Sequence, residues 1–290
     1  MKNSEAFLSI LVCPKDRSTL KRDGDTLACK TCGTLYPIRS GIPQFYLDPE
    51  WEDLYLNDGG QHYATEEPFE LAPGDLGYLA LRGDQNYGTV LDLGCGDGVF
   101  SSIISKQHQS YCVDVTETGL RRLQKRQIKN LYPVLASGFE LPFPKNTFDT
   151  ALYVFVVEHL ASGDDLRMLL ELQRVLKDSG KLIYTTDTPF FDKHLVRWTN
   201  LLFRGKWTKQ DHSSETGHIN LLTLKQSRAL VQRAGFDIHA EHPYWMGSRF
   251  PSWMRLVTFF RNWLPREFCE NYLTSKYTLI LKKSLQGGSA

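Results

Sequence analysis

The sequence predicts an α/β protein, a mostly parallel sheet built from βαβ units and preceded by a small β ribbon. Three observations carry this. From Thr89 onward short apolar runs alternate with amphipathic segments, the pattern of strands joined by crossover helices. Val90-Leu91-Asp92-Leu93 runs straight into Gly94-Cys95-Gly96-Asp97-Gly98, an apolar strand feeding a glycine-rich turn and a helix. Three of the 6 cysteines crowd into positions 13 to 32, in a segment with little apolar surface of its own.

Residues 1–47 read as the ribbon: Cys13-Pro14, a polar stretch turning at Asp23-Gly24-Asp25, then Cys29-Lys30-Thr31-Cys32-Gly33, then Tyr36-Pro37-Ile38-Arg39-Ser40-Gly41-Ile42-Pro43. Residues 48–87 are acidic, aromatic and rich in Gly and Pro, which predicts a linker with one or two covering helices. The main domain spans 88–285. Its strands are expected at 89–93, 110–115, 148–154 and 181–186, with helices near 98–107, 117–128 and 164–177. Lys177-Asp178-Ser179-Gly180 reads as a C-cap and turn after the last of these helices. A long segment at 188–222 leads to a helix at 223–234 that Gly235 closes, then a strand near 236–242, an aromatic insertion at 243–275 and a strand at 276–283.

Composition narrows the function. Lys and Arg total 34 against 33 Asp and Glu, so a net charge of +1 provides no bulk attraction to a polyanion and argues against nucleic acid as the partner. Hydrophobic residues at 41% and charged residues at 23% exclude a disordered, collagenous or coiled-coil chain. No apolar run is long enough to span a bilayer and the apolar stretch near Met1 is short for a secretory signal, so the expected compartment is the cytoplasm. The cysteine spacing argues for metal chemistry rather than a disulfide framework.

Asp114 ends the second strand 20 residues after Gly94, where a carboxylate can take both hydroxyls of a ribose. At this point residues 88 to 242 resemble the class I S-adenosylmethionine-dependent methyltransferases with a D-L-G-C-G-x-G first motif. Further marks of the resemblance are Leu141-Pro142-Phe143-Pro144, Asn146-Thr147-Phe148-Asp149, Val157-Glu158-His159-Leu160 and Leu172-Gln173-Arg174-Val175-Leu176-Lys177. It implies a Rossmann-like sheet of seven strands, mostly parallel, whose last two strands form a hairpin. It also implies that Asp92, Gly94, Cys95, Gly96 and Gly98 shape the cofactor pocket and that Asp114 holds the ribose. Ser137 stands where the family often has an acidic residue for the adenine amine, with Gly138 beside it, and Phe155 is expected at the same pocket. Some quinone methyltransferases of this superfamily bind a metal through a Glu at the position that Phe155 fills here, a departure from their pattern.

A sulfonium methyl is already electrophilic, so the chemistry needs alignment, exclusion of water and, for a hydroxyl acceptor, a base. His159 follows the strand at 148–154 on the ligand face of the sheet and is the first candidate for that base; the alternative is a structural role. His218-Ile219-Asn220 with Thr223 resembles the acceptor loop of small-molecule methyltransferases, with loop packing and an N-cap at Thr223 as the alternative. The segment from Cys13 to Pro43 resembles the zinc-ribbon subunits that activate methyltransferases, which implies zinc at Cys13, Cys29 and Cys32, with Asp16 where a fourth cysteine would stand; a metal-free ribbon is the alternative. In residues 243–266 Trp253, Leu256, Val257, Phe260, Trp263 and Leu264 share one helical face beside several arginines. That face fits peripheral membrane contact, the wall of a greasy acceptor pocket, or the domain's own core. Arg121, Arg122, Lys125, Arg126 and Lys129 read as the solvent face of a helix. The expected activity is methyl transfer to a small-molecule or lipid-linked acceptor, quinone-like or glycan. RNA base methylation and a non-catalytic scaffold or activator remain alternatives.

Overall fold

The computed structural model describes residues 5–46, 86–189, 218–245, 263, 265, 269 and 274–284. The ribbon opens with a short helix, α1 (Glu5–Ser9), which the sequence reading did not anticipate. Four strands follow in spatial order: β1 (Leu20–Asp23), β2 (Thr26–Cys29), β3 (Leu35–Arg39) and β4 (Ile42–Pro43). The expected turn stands at Gly24-Asp25, because Asp23 pairs with Thr26 across the hairpin.

The main sheet has seven strands: β5 (Val90–Leu93), β6 (Ser110–Asp114), β7 (Leu131–Leu135), β8 (Phe148–Val154), β9 (Leu176–Asp187), β10 (Phe236–Trp245) and β11 (Thr274–Lys283). Their spatial order is β10-β11-β9-β8-β5-β6-β7, with β5 to β9 parallel and β11 antiparallel to both its neighbours; the seven strands, the mostly parallel arrangement and the closing hairpin are as the resemblance implied. β5 and β6 are buried along their whole length, which is why they read as continuous apolar runs rather than as an alternation. The helices are α2 (Val99–Ile104), α3 (Glu117–Lys125), α4 (Asp164–Val175) and α5 (Leu224–Arg233). α4 buries Met168, Leu169, Leu172 and Val175, the one-sided spacing of an amphipathic helix.

Four expectations need correction. No strand was expected at 131–135, yet β7 is the edge of the sheet and pairs with β6 on one side. α4 has no glycine C-cap: the chain turns extended at Leu176, and 177–180 is looped out inside β9, between the pairs Phe148 with Leu176 and Thr150 with Lys181. β10 and β11 run to Trp245 and from Thr274, taking both ends of the expected insertion into the sheet. The basic run on α3 is not a purely solvated face, because Arg126 pairs with Asp97 of the glycine turn at 2.5 Å. Of the linker at 48–87 all but the last two residues, most of the segment at 188–222 and most of the aromatic face at 250–264 lie outside the described residues.

Ribbon and sheet share one core. Phe7, Leu8, Leu11, Leu27, Tyr36 and Ile38 belong to the same buried cluster as Leu91, Tyr111, Leu141 and Phe143. Phe7 stacks on Tyr132 at a centroid distance of 5.0 Å. Just after β4 the chain runs parallel to the end of β7: Gln44 bridges to Leu135, and the Phe45 amide donates to the Leu135 carbonyl at 2.8 Å. The Val12 amide reaches the Pro142 carbonyl at 3.0 Å, and the Arg17 guanidinium donates to the Leu141 carbonyl at 2.6 Å. An otherwise open sheet edge is thereby covered. Among the described residues no helix is long and apolar enough to cross a membrane.

Candidate active site

β5 is the central strand where the order reverses, with β6 on one side and β8 on the other. The crevice beyond the strand ends at such a point is where open α/β sheets bind ligands. Gly94, Gly96 and Gly98 there hold φ values of +71°, +52° and +75°, in the left-handed region that side chains resist. A Cβ on Gly94 would run into Val156, and one on Gly98 into Leu123, so neither packing nor backbone tolerates a larger residue.

Asp114 ties this turn to the neighbouring strand. Its Oδ2 accepts from the Gly96 amide at 2.7 Å, and its Oδ1 accepts from the amide and hydroxyl of Thr116 at 2.9 and 2.7 Å. Asp92 lies beneath the turn and accepts from the Ser101 hydroxyl at 2.5 Å. Burial, and secondarily the charge of Asp114, pushes the Asp92 carboxyl up to about 6. Burial likewise raises Asp114 and holds the Cys95 thiol far above its ordinary range. Two buried carboxyls at one turn fit the ammonium and hydroxyl donors of the cofactor that the sequence implied.

Ser137 and Gly138 follow β7 on the same side of the molecule. The Ser137 hydroxyl accepts from the Phe139 amide at 3.3 Å, and Gly138 packs closely on Met168 and Leu93, so that a Cβ would displace the end of the Met168 side chain. Phe155 has a φ of +56°, an unusual conformation for an aromatic residue and a form of strain that clusters at functional sites. Its ring packs on the Val90–Ile104 cluster and under the Lys276 ammonium at 4.6 Å, while the next residue, Val156, stands against Gly94. Val156 is thus the glycine turn's neighbour that sequence reasoning missed.

Past β8, a 3-10 turn (Val157–His159) carries the expected His159. His218 is brought to it, the two rings meeting edge to face at 5.0 Å. The amides of Ile219 and Asn220 both donate to the Glu158 carbonyl, at 2.8 and 3.0 Å, and the Asn220 side chain donates to Asp165 at 3.1 Å. Glu158 is fully buried and accepts from the Thr186 hydroxyl at 2.9 Å through Oε2, while Oε1 has no hydrogen-bond partner. Burial, with the nearby charge of Asp187, pushes its carboxyl up to about 8. The Tyr153 hydroxyl is also buried without a partner and is raised well above its ordinary value by burial. Sequence reasoning had named Glu158 only as the neighbour of His159; nothing local in the sequence announces that His218 completes the group.

In the ribbon, Cys13, Cys29 and Cys32 converge with Asp16, all ligand atoms lying within 4.8 Å of one another. The Cys13 and Cys32 sulfurs are 3.7 Å apart, and Cys29 Sγ is 3.3 Å from Asp16 Oδ2. Tetrahedral zinc with Zn–S near 2.3 Å and Zn–O near 2.0 Å requires edges of about 3.8 and about 3.5 Å, so the four groups fit that ion. The Ser18 hydroxyl and amide hold the Asp16 carboxyl well below the usual carboxylate range. Desolvation opposes the Cys29 thiolate, but hydrogen bonds from Ser18 and from the amides of Cys32 and Thr31 bring that thiol down to about 7.

Residues 91–184 match the methyltransferase domain family and residues 4–41 match the Trm112p-like protein family. An uncharacterized methyltransferase of Schizosaccharomyces pombe is 30% identical over 142 residues, 44% of this chain and 50% of that protein. A demethylmenaquinone methyltransferase of Corynebacterium urealyticum is 28% identical over 169 residues, 57% of this chain and 61% of that protein. The chain spans half or less of the length of most of the curated relatives it matches, from 22% to 66%. Among solved structures, a chain from the complex between the Haloferax volcanii Trm112 methyltransferase activator and a methyltransferase aligns with a TM-score of 0.52 at 15% identity, covering 71% of this chain and 88% of that one. At that identity the likeness shows the fold, which is that of the class I methyltransferases.

Proposed function

We propose that this chain, which joins a Trm112p-like segment to a methyltransferase domain, transfers a methyl group from S-adenosylmethionine to a hydroxyl of a small, quinone-like or lipid-linked acceptor. The observation that carries the reading is the glycine turn clamped by Asp114 at the sheet's switch point, with Asp92 buried beneath it. Asp114 receives the ribose hydroxyls, Asp92 faces the ammonium of the methionine part, and Ser137 and Gly138 line the adenine side. Bound there, the cofactor supplies an electrophilic methyl on sulfur, and the protein's remaining task is to hold the acceptor in line and keep water out.

The acceptor lies at the turn bearing His159. Glu158, His159 and His218 are the groups there that handle a hydroxyl proton, and Asn220, anchored on Asp165, fixes the loop that carries His218. Ile219, 69% exposed beside His218, provides apolar surface for a ring or lipid tail. The similarity to demethylmenaquinone methyltransferases favours a quinone-like acceptor over a glycan. The ribbon, steadied by zinc at Cys13, Asp16, Cys29 and Cys32, covers the β7 edge and serves the methyltransferase domain as a built-in activator, a reading favoured by its match to the Trm112p-like family.

Transfer of labelled methyl from S-adenosylmethionine by the purified chain, offered reduced demethylated quinones, lipid-linked glycans and total RNA in parallel, tests the reading. Label in the quinone fraction is expected. Label in RNA alone would replace it with the RNA-modifying alternative.

A further inference from the structure

Beyond the glycine turn, the described residues hold a second cluster of potential metal ligands. Glu158, His159 and His218 each offer a ligand atom, and these atoms lie within 4.8 Å of one another. Two come from the turn after β8 and the third from the segment before α5, so the geometry depends on how firmly that segment is held. It is held by both amides that follow His218, each donating to the carbonyl of Glu158 itself. The Asn220 side chain adds a third tie, to the start of α4.

The second observation is independent of this proximity. Glu158 has no exposed surface, and its Oε1 has no donor, whereas the large majority of buried side-chain polar atoms in protein interiors are hydrogen-bonded. Tyr153, whose hydroxyl is also an orphan, and the carboxylates of Asp165 and Asp187 add polar and negative groups around it. A cation would both satisfy the orphaned oxygen and offset that charge.

We infer that Glu158, His159 and His218 form a binding site for a divalent cation, and that its open coordination positions receive the oxygen of the methyl acceptor. The second half rests on the methyl-transfer reading; the first does not. Two imidazoles and one carboxylate form the donor set of catalytic rather than structural metal sites, because three protein ligands leave room for another oxygen. With ligand bonds of about 2.1 Å, neighbouring ligands stand about 3.0 to 3.4 Å apart, so the side chains close in slightly on the ion.

Binding a hydroxyl oxygen to the cation lowers its pKa, and its proton passes to water. A lone pair of the resulting oxygen forms the new bond to the methyl carbon. The carbon–sulfur bond breaks with its electron pair remaining on sulfur, leaving a neutral thioether. The acceptor class this selects has a second oxygen beside the first, as in an enediol or a hydroquinone with a neighbouring carbonyl, able to occupy two open positions. In this role His159 is a ligand to the cation rather than the proton acceptor.

Manganese is the discriminating probe, because oxygen and nitrogen ligands suit it while the thiolate-rich ribbon site selects softer ions. Free Mn2+ is followed by electron paramagnetic resonance during titration of the full chain, with S-adenosylmethionine binding measured by calorimetry on the same samples. One Mn2+ site per chain is expected. His218→Ala, at a half-buried position, should weaken it at least about 10-fold, the loss that even an outer partner of a metal ligand costs, and Glu158→Gln should do the same. Cys32→Ser should leave it unchanged. No uptake by the wild type, or uptake of wild-type strength in His218→Ala, would overturn the cation site. S-adenosylmethionine binding without manganese uptake would reject this inference and spare the methyl-transfer reading; manganese uptake without cofactor binding would do the reverse.

Discussion

Asp92 shows how one residue links the fold to its chemistry. It sits within a strand whose every residue is buried, and its carboxyl titrates near 6 because burial, seconded by Asp114, opposes its charge. The folded protein therefore holds a proton that the unfolded chain has released between about pH 4 and about pH 6. This group's contribution to stability is complete below the ordinary carboxylate range and declines as pH rises through 6, by an amount on the order of 2–3 kcal/mol. Asp92→Asn should flatten the decline in chemical denaturation between pH 4 and pH 7; an unchanged slope would mean that another group carries it. Asp92, Asp114 and the glycines were legible in the sequence because strand, turn and carboxylate follow one another within a single βαβ unit. His218 beside Glu158 was not, because that contact closes across many residues through backbone bonds that any side chains could have accompanied. Nor was the left-handed Phe155 legible, since nothing about an aromatic residue announces a φ of +56°.

At the scale of the element, the strand that sequence reasoning missed is instructive. Leu131-Tyr132-Pro133-Val134-Leu135 contains a proline, which speaks against a central strand. β7 is an edge, where one missing amide is tolerated, and among the described residues the ribbon's backbone bridges to it at Leu135, clear of Pro133. α5 was readable at both ends. Thr223 caps it by accepting from the Gln226 amide at 3.3 Å, and the Gln226 side chain returns to the Thr223 amide at 2.9 Å, a reciprocal capping box. Gly235 ends it with a φ of +79°. Thr223→Ala should cost about 0.5–2 kcal/mol in denaturant unfolding. An unaltered midpoint would show that the cap contributes nothing to stability and that the site segment is held by its other bonds, to Glu158 and Asp165.

For the molecule as a whole, the sequence displayed two units and the structure joins them through one core. The apolar face of α1 explains the difference: Phe7, 1% exposed, lies on Tyr132 and near Tyr111 of the main sheet. Phe7→Ala should remove about 3–5 kcal/mol, a large part of a typical domain's stability, and both units should still melt in one transition. Two separate transitions in the wild type would contradict the shared core. The central claim is that this joined fold presents a cofactor pocket at Asp114, and calorimetric titration of the intact chain with S-adenosylmethionine tests it most directly, with folded Asp114→Ala alongside. The account predicts one cofactor per wild-type chain and binding that collapses in the variant; no heat of binding from the folded wild type, or equal binding by both proteins, would contradict it.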